Sequence, residues 1–245
     1  MGKKLIRMLG ATTVCVAALP LLFDTVAWAG VERTRDTRSL PSSRFHVPEL
    51  GGLSPEVLTL ALRAVQCSVA SGDMAAPATL TVIDYSLPSV EPRLWVFDLE
   101  AGTLLFKELV AHGRNTGENM ATRFSDAMNS HQSSLGLFVT ADTYVGSNGY
   151  SLRLDGLEPG FNARARERAI VMHGAPYVDA AVAAAQGRLG RSWGCPAVRE
   201  GVARKLIDTI RGGGAMFSYY PDAHWLKSSR LLHGCGANQP VLVTS

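Results

Sequence analysis

Two side chains are placed where they could act together in covalent chemistry. Ile170-Val171-Met172-His173-Gly174 has the pattern of a strand ending in His-Gly, and Cys195 follows 22 positions later within Gly190-Arg191-Ser192-Trp193-Gly194-Cys195-Pro196. A free thiol, with a pKa of about 8.5, is mostly protonated at neutral pH, so a cysteine nucleophile needs a base or a cationic neighbour. A histidine fixed at a strand end can be that neighbour. The glycines flanking the pair would let backbone N–H groups approach a substrate oxygen closely. Cys195 also just precedes a helical pattern near Arg199, and a helix N-terminus favours a thiolate. Equally open at this point are a buried structural Cys195 and a disulfide from it to Cys67 or Cys235. No Cys-x-x-Cys or His-x-x-x-His spacing supplies a zinc ligand set. Neither a metal nor a cofactor is expected.

The elements that must position this pair are mainly strands. Thr79–Tyr85, Arg93–Leu99, Thr103–Val110, Leu135–Thr140, Ser151–Leu154 and Ala169–His173 are short β-branched or aromatic runs, punctuated by Pro88, Pro92 and Gly102. A last strand fits Ala215–Tyr220. Helical spacing occurs in three places. The first begins at Ser54-Pro55-Glu56, which offers an N-cap, a Pro at the first helical position and an acidic first turn, and it carries Cys67 near its end. The second is Ala-rich, near Val178–Gln186, and the third runs from about Arg199 to Arg211 and stops at Gly212-Gly213-Gly214. The fold expected is a mainly β domain with a few peripheral helices.

Composition narrows the function classes. Of 245 residues, 47% are hydrophobic and 18% charged, which suits one packed domain and excludes a disordered polyelectrolyte. Lys3, Lys4 and Arg7, an apolar stretch from about Leu9 to Phe23 and Ala27-Trp28-Ala29 together fit a secretory signal peptide over residues 1–29. Pro20 and Asp24 interrupt a stretch already short for a membrane-spanning helix, and no later run is long and apolar enough to be one. Without that leader the chain holds 21 basic and 20 acidic side chains, so nothing biases it toward nucleic acid or anionic lipid. Residues 30–53, rich in Arg, Ser, Pro and Gly, have the character of a flexible linker. The expected site of action is outside the cytoplasm, in a bacterial periplasm or cell wall. Losing Cys15 with the leader leaves Cys67, Cys195 and Cys235, an odd number for an oxidising compartment.

The residues around the pair are more specific than the pair. His173-Gly174 followed by Ser192-Trp193-Gly194-Cys195 resembles the His-Gly…Ser-His-Gly-Cys signature of the YkuD-type L,D-transpeptidases, which cross-link peptidoglycan. Val110-Ala111-His112-Gly113 and Ser133–Thr140 are similar to that family's earlier strand pair. Ser133-Ser134-Leu135-Gly136, Gly149–Leu157 and Gly190–Ala197 resemble ordered blocks of its murein L,D-transpeptidase branch. The likeness runs from about Leu80 to Tyr220 and implies a YkuD-like β-sandwich over residues 79–222, with a helical segment at 54–78 before it and a tail at 223–245 after it.

By that resemblance Cys195 is the nucleophile and His173 its general base and imidazolium partner. Ser192 and the Trp193 carbonyl would orient the imidazole, and N–H groups of Gly194 and Cys195 would form an oxyanion hole. Gly174 and Trp193 would meet the stem peptide, while His112 would either line the cleft or cap a strand turn. The implied reaction opens the L,D bond of a tetrapeptide stem, releases D-Ala and passes the acyl group from a Cys195 thioester to an amine of another stem. Two departures stand out: Trp193 replaces the family's His, and Pro196-Ala197 replaces Ile-Arg. The lost Arg leaves a cation to be supplied, for which Arg191 and Arg199 are the candidates, each of them as readily a solvated surface charge. His131 lies in a polar loop and is expected at the surface. With Cys195 kept free, Cys67 and Cys235 remain as the intramolecular disulfide partners. An L,D-carboxypeptidase or endopeptidase sharing the acyl-enzyme, and a wall-binding module with structural His and Cys, are the alternatives.

Overall fold

The computed structural model of the protein describes residues 50–233 and Cys235. The expected leader and most of the expected linker lie outside the described residues. The end of that linker does not behave as one: Leu50 and Leu53 are buried, and the Gly51 carbonyl accepts the indole N–H of Trp95 at 3.1 Å. Ser54 then caps α1 (Pro55–Ala70), its hydroxyl accepting the Val57 N–H at 3.4 Å with Pro55 opening the first turn.

Nine strands form one hydrogen-bonded sheet. Its first limb is the antiparallel meander of β1 (Thr79–Asp84), β2 (Leu94–Asp98) and β3 (Thr103–Glu108). Next come β4 (Val110–Ala111), the long hairpin of β5 (Gly136–Gly146) with β6 (Gly149–Gly156), and β7 (Val171–Gly174). After α2 (Ala180–Gln186) follow β8 (Ala197–Val198), α3 (Glu200–Ile210), β9 (Ala215–Tyr219), α4 (Ala223–Ser228) and α5 (Arg230–His233). The spatial order is β3-β2-β1-β9-β5-β6-β7-β8-β4, with β9 parallel to β1 and β7 parallel to β8. The sheet rolls into a nearly closed barrel. Successive side chains of a strand point to opposite faces, and here both faces are covered. Leu80 and Val82 join Trp95, Phe97, Phe217, α1 and Trp225 on one face, while Ile83 joins Val96, Phe138, Met172, Met216 and α3 on the other. The expected sandwich thus consists of two cores on the two faces of one continuous sheet.

Three differences from the sequence expectation have physical causes. The β5–β6 hairpin extends about six residues beyond the expected strands, because its outer half is exposed and polar and carries no apolar alternation. The two-residue strands β4 and β8 are too short to leave a pattern, yet they pair with each other and carry the nucleophile loop. The start of the expected tail is folded. Glu158, buried beneath it, accepts the Leu137 N–H at 2.9 Å, the Trp225 indole N–H at 3.2 Å and the Ser229 hydroxyl, fastening α4 and the start of α5 to β5. Cys67 and Cys235 are disulfide-bonded with Cα atoms 5.2 Å apart, and among the described residues Cys195 is the free thiol. Among the described residues, no helix is long and apolar enough to cross a membrane.

Candidate active site

Cys195 lies against the strand that carries His173. Its Sγ accepts the Val171 N–H at 3.5 Å and contacts the Ala169 carbonyl as a weak donor at 3.8 Å. Cys195 is 8% exposed and belongs to the α3-side core. His173 closes β7, and its Nδ1–H donates to the Gly174 carbonyl at 2.9 Å, which leaves the lone pair on Nε2. The carbonyl that orients the imidazole is therefore that of Gly174, where Ser192 and Trp193 were expected. Gly174 is glycine for packing: a Cβ there would stand 2.9 Å from that of Ala203 on α3.

Charge is held off both groups at rest. Burial pushes the Cys195 thiol up from its ordinary value, opposed by the Val171 N–H and the Arg168 charge. Burial also pulls the His173 imidazolium down, opposed by the Gly174 carbonyl. A low-dielectric site disfavours each charged form. Both directions run toward the uncharged forms of the thiol and the imidazole.

The loop from Ser192 to Cys195 is docked on the segment after β4. Ser192 N–H donates to the His112 carbonyl at 3.0 Å and the Ser192 carbonyl accepts Arg114 N–H at 2.7 Å. The Ser192 hydroxyl donates to the Cys195 carbonyl at 2.6 Å and accepts the Gly194 N–H at 3.1 Å. Ser192 thus shapes the loop and does not touch His173, and the Gly194 N–H expected in the oxyanion hole is already bonded. A third segment locks in: Ser133 Oγ accepts Gly113 N–H at 3.0 Å and donates to the Gly194 carbonyl at 3.2 Å. Gly113 and Gly194 permit this crossing, since a Cβ on either would meet backbone oxygens, of His131 at 2.4 Å and of Gln132 at 2.8 Å respectively.

Both arginines singled out from sequence are engaged by neighbours. Arg191 donates to the Gly117 carbonyl at 3.0 Å and to Glu118 at 2.7 Å, and Arg199 makes a two-pronged pair with Glu108 at 2.7 and 2.8 Å. A third arginine, Arg168, opposes the upward push of burial on the Cys195 thiol, after the Val171 N–H. Its side chain is 3% exposed and donates to the carbonyls of Ser125 and Gln132, at 2.8 and 2.7 Å, and to the hydroxyls of Ser134 and Ser130, with Asp126 at 3.7 Å. Arg168 was missed because it ends the alternation Arg164, Arg166, Arg168, which has the look of a solvated face. The first two are indeed exposed and pair with Glu167 and Asp155. Its position immediately before the strand that leads to His173 was the available signal.

His112, which could line the cleft or cap a strand turn, is buried at 1% exposure and does the second. Its Nδ1 accepts from Arg93 at 2.8 Å and its Nε2–H donates to the Gly117 carbonyl at 3.2 Å, so it braces the turn after β4. Trp193 is 69% exposed beside the nucleophile, as suits a residue that meets substrate. His131 is drawn out of the expected surface loop to stack on it, with ring centroids 5.3 Å apart.

No curated protein matches the chain by sequence. Solved structures that resemble it include an L,D-transpeptidase from Mycobacterium smegmatis (14% identity, 58% of this chain and 59% of that one, TM-score 0.38). An L,D-transpeptidase from Mycobacterium tuberculosis H37Rv shares 16% identity over 59% of this chain and 58% of that one, with a TM-score of 0.35. A third, from Xylanimonas cellulosilytica, shares 14% over 63% and 68%, with a TM-score of 0.33. The chain thus spans about three-fifths of the two mycobacterial chains. The model of the L,D-transpeptidase catalytic domain matches residues 49–219, a span that takes in all nine strands, the Cys195 loop and His173. The chain belongs to the L,D-transpeptidase catalytic domain family.

Proposed function

We propose that this protein is a peptidoglycan L,D-transpeptidase that forms 3→3 cross-links through a Cys195 thioester. The observation that carries the proposal is the seating of Cys195 Sγ on the strand ending in His173, whose Nδ1–H is committed to the Gly174 carbonyl so that Nε2 is the basic nitrogen. In the first half-reaction His173 Nε2 takes the thiol proton as Sγ adds to the carbonyl of the L,D bond. Arg168 stabilises the thiolate as it forms, and Cys195 N–H donates to the oxyanion, since Gly194 N–H is held by Ser192. His173 then returns the proton to the departing amine, D-Ala leaves, and the stem remains as a thioester. In the second half-reaction the side-chain amine of another stem attacks the thioester, His173 accepts its proton, and the thiol is restored.

Water, at about 55 M, competes for that thioester. Well-oriented groups reach effective molarities of about 10⁵ M and above, so transfer prevails where the acceptor amine is held in place. Trp193, exposed beside Cys195, is the surface for this. The substrate lies outside the cytoplasm, which accords with the leader expected over residues 1–29, and the Cys67–Cys235 disulfide supports an oxidising compartment.

The test is incubation with disaccharide-tetrapeptide, followed by intact-protein mass spectrometry and product analysis. An acyl adduct on Cys195, released D-Ala and dimers joined 3→3 are expected, and Cys195→Ala should remove all three. Cys195-dependent release of D-Ala with tripeptide as sole product, in excess acceptor, would assign an L,D-carboxypeptidase instead.

A further inference from the structure

The guanidinium groups near the nucleophile loop divide into two kinds. Arg168 faces Asp126, Arg188 and Arg191 share Glu118, and Arg199 grips Glu108. Arg114 has no carboxylate among the partners it shows: its guanidinium lies 5.6 Å from the Trp193 ring centre, and its Nη2 donates to His131 Nδ1 at 2.9 Å. Its own backbone N–H is bonded to the Ser192 carbonyl, so this cation stands on the rim of the loop that carries Cys195.

The group is held ready. His131 and Asn129 take left-handed backbone with φ of 54° and 57°, which residues bearing a Cβ seldom adopt. Asn115 fixes them there, its N–H donating to the His131 carbonyl at 3.2 Å and its side chain to the Ser130 carbonyl at 2.8 Å. Arg168 grips the same turn from below through Ser130 and Gln132. The imidazole is thereby stacked on Trp193 and the guanidinium is laid over the indole. Surface arginines seldom have so much structure spent on their placement, and a preorganised guanidinium binds a carboxylate with little further loss of freedom.

We propose that Arg114, backed by Trp193 and His131, receives the free terminal carboxylate of the acyl-donor peptide. This rests on the transpeptidase function proposed above. A tetrapeptide stem ends one residue beyond the scissile carbonyl, and one extended residue spans about 3.5 Å. With that carbonyl at Sγ, the terminal carboxylate would lie about one residue from the nucleophile, and Arg114, bonded through its backbone to the loop that carries Cys195, is the carboxylate-free cation offered to it. Arg114 would then select stems with a free terminal carboxylate next to the bond to be broken, and would reject amidated or further extended ones.

The test compares D-Ala release from disaccharide-tetrapeptide with D-alaninamide release from its terminal carboxamide, for the wild type, Arg114→Gln and Arg114→Lys. The wild type should favour the acid about 10- to 100-fold in kcat/KM, Arg114→Gln should bring the ratio near one, and Arg114→Lys should fall between. Most of the change should sit in KM. A ratio that survives in Arg114→Gln, or a wild type that does not distinguish acid from amide, overturns the assignment. An equal loss on both substrates overturns it as well, and marks Arg114 as a strut for the loop. A wild type that turns over neither substrate overturns the transpeptidase function itself, an outcome distinct from any change in the ratio.

Discussion

The two sides of the sheet are built on opposite terms. On the side of α1, Leu58, Leu62, Val65, Trp95, Phe217 and Trp225 make a conventional apolar core, tied by the Cys67–Cys235 disulfide, and its buried carboxylate, Glu158, is satisfied by three donors. On the Cys195 side the buried groups include Arg93, His112, Arg168, Asp126 and Ser133. Burying such groups costs free energy unless each is bonded, and their return is geometric, since they fix where three loop segments cross. Apolar packing and a cross-link hold the chain together on one side. On the other, polar bonds hold a thiol and an imidazole in register.

The comparison can be broken most directly at the chemistry. His173→Ala should slow acylation of Cys195 by about 10²- to 10⁴-fold with an unchanged thermal midpoint. Near-normal acylation there would move the base off β7. The converse variant is Cys67→Ser with Cys235→Ser, which removes a cross-link spanning 168 positions and should cost about 5 kcal/mol by loop-closure entropy. Urea unfolding should record that loss, while acylation measured well below the new midpoint stays at the wild-type rate.

Arg168→Met lies between these two. It strips four hydrogen bonds and leaves Asp126 buried without its cation, for about 3 to 5 kcal/mol. It should also push the pH midpoint of Cys195 alkylation upward, because a charge that favours the thiolate is gone. A loss of stability without that upward shift would make Arg168 a structural residue only.

The pH dependence of stability sharpens the contrast further. Burial pulls His112 down to about 4, with the Arg93 charge adding to the effect, and lowers His173 in the same direction. A depressed histidine binds fewer protons folded than unfolded. Its contribution is therefore complete above the unfolded value near 6.5 and is lost as pH falls toward the folded one. For His112 that loss is on the order of 3 kcal/mol between pH 6.5 and 4. Urea midpoints across that range should decline less steeply in His112→Gln. The smallest expected effect is Ser54→Ala, about 1 kcal/mol from the cap of α1, with no change at Cys195.

What the sequence disclosed follows the same division. The apolar side was legible because period and capping are local: Ser54-Pro55 announced α1, and the strands of the meander fell where their β-branched runs lie. His173 and Cys195 were legible through the words around them. The polar side was not, because its partners are distant in sequence and alike in composition. Nothing in Arg164, Arg166 and Arg168 tells which guanidinium turns inward; that is decided by the Ser125–Ser134 segment, more than 30 positions upstream. His112 stayed open between two roles for the same reason, since Arg93 and Gly117 claim both its nitrogens only once β2 and β4 are assembled.

The positions of Cys67, Cys195 and Cys235 along the chain have a consequence for biogenesis under the proposed function. A polypeptide threaded amino-terminus first presents Cys67, then Cys195 after 128 residues, and Cys235 only 40 residues later. The first pairing open to Cys67 in an oxidant is thus the wrong one, and it would consume the thiol proposed as the nucleophile. Folding removes that hazard by sequestering Cys195 against β7 and leaving Cys67, at the end of α1, for the carboxyl-terminal segment. If the protein acts outside the cytoplasm, as proposed, the burial of Cys195 would thus also act as a sorting step, shielding the proposed nucleophile from oxidation while Cys67 finds its partner.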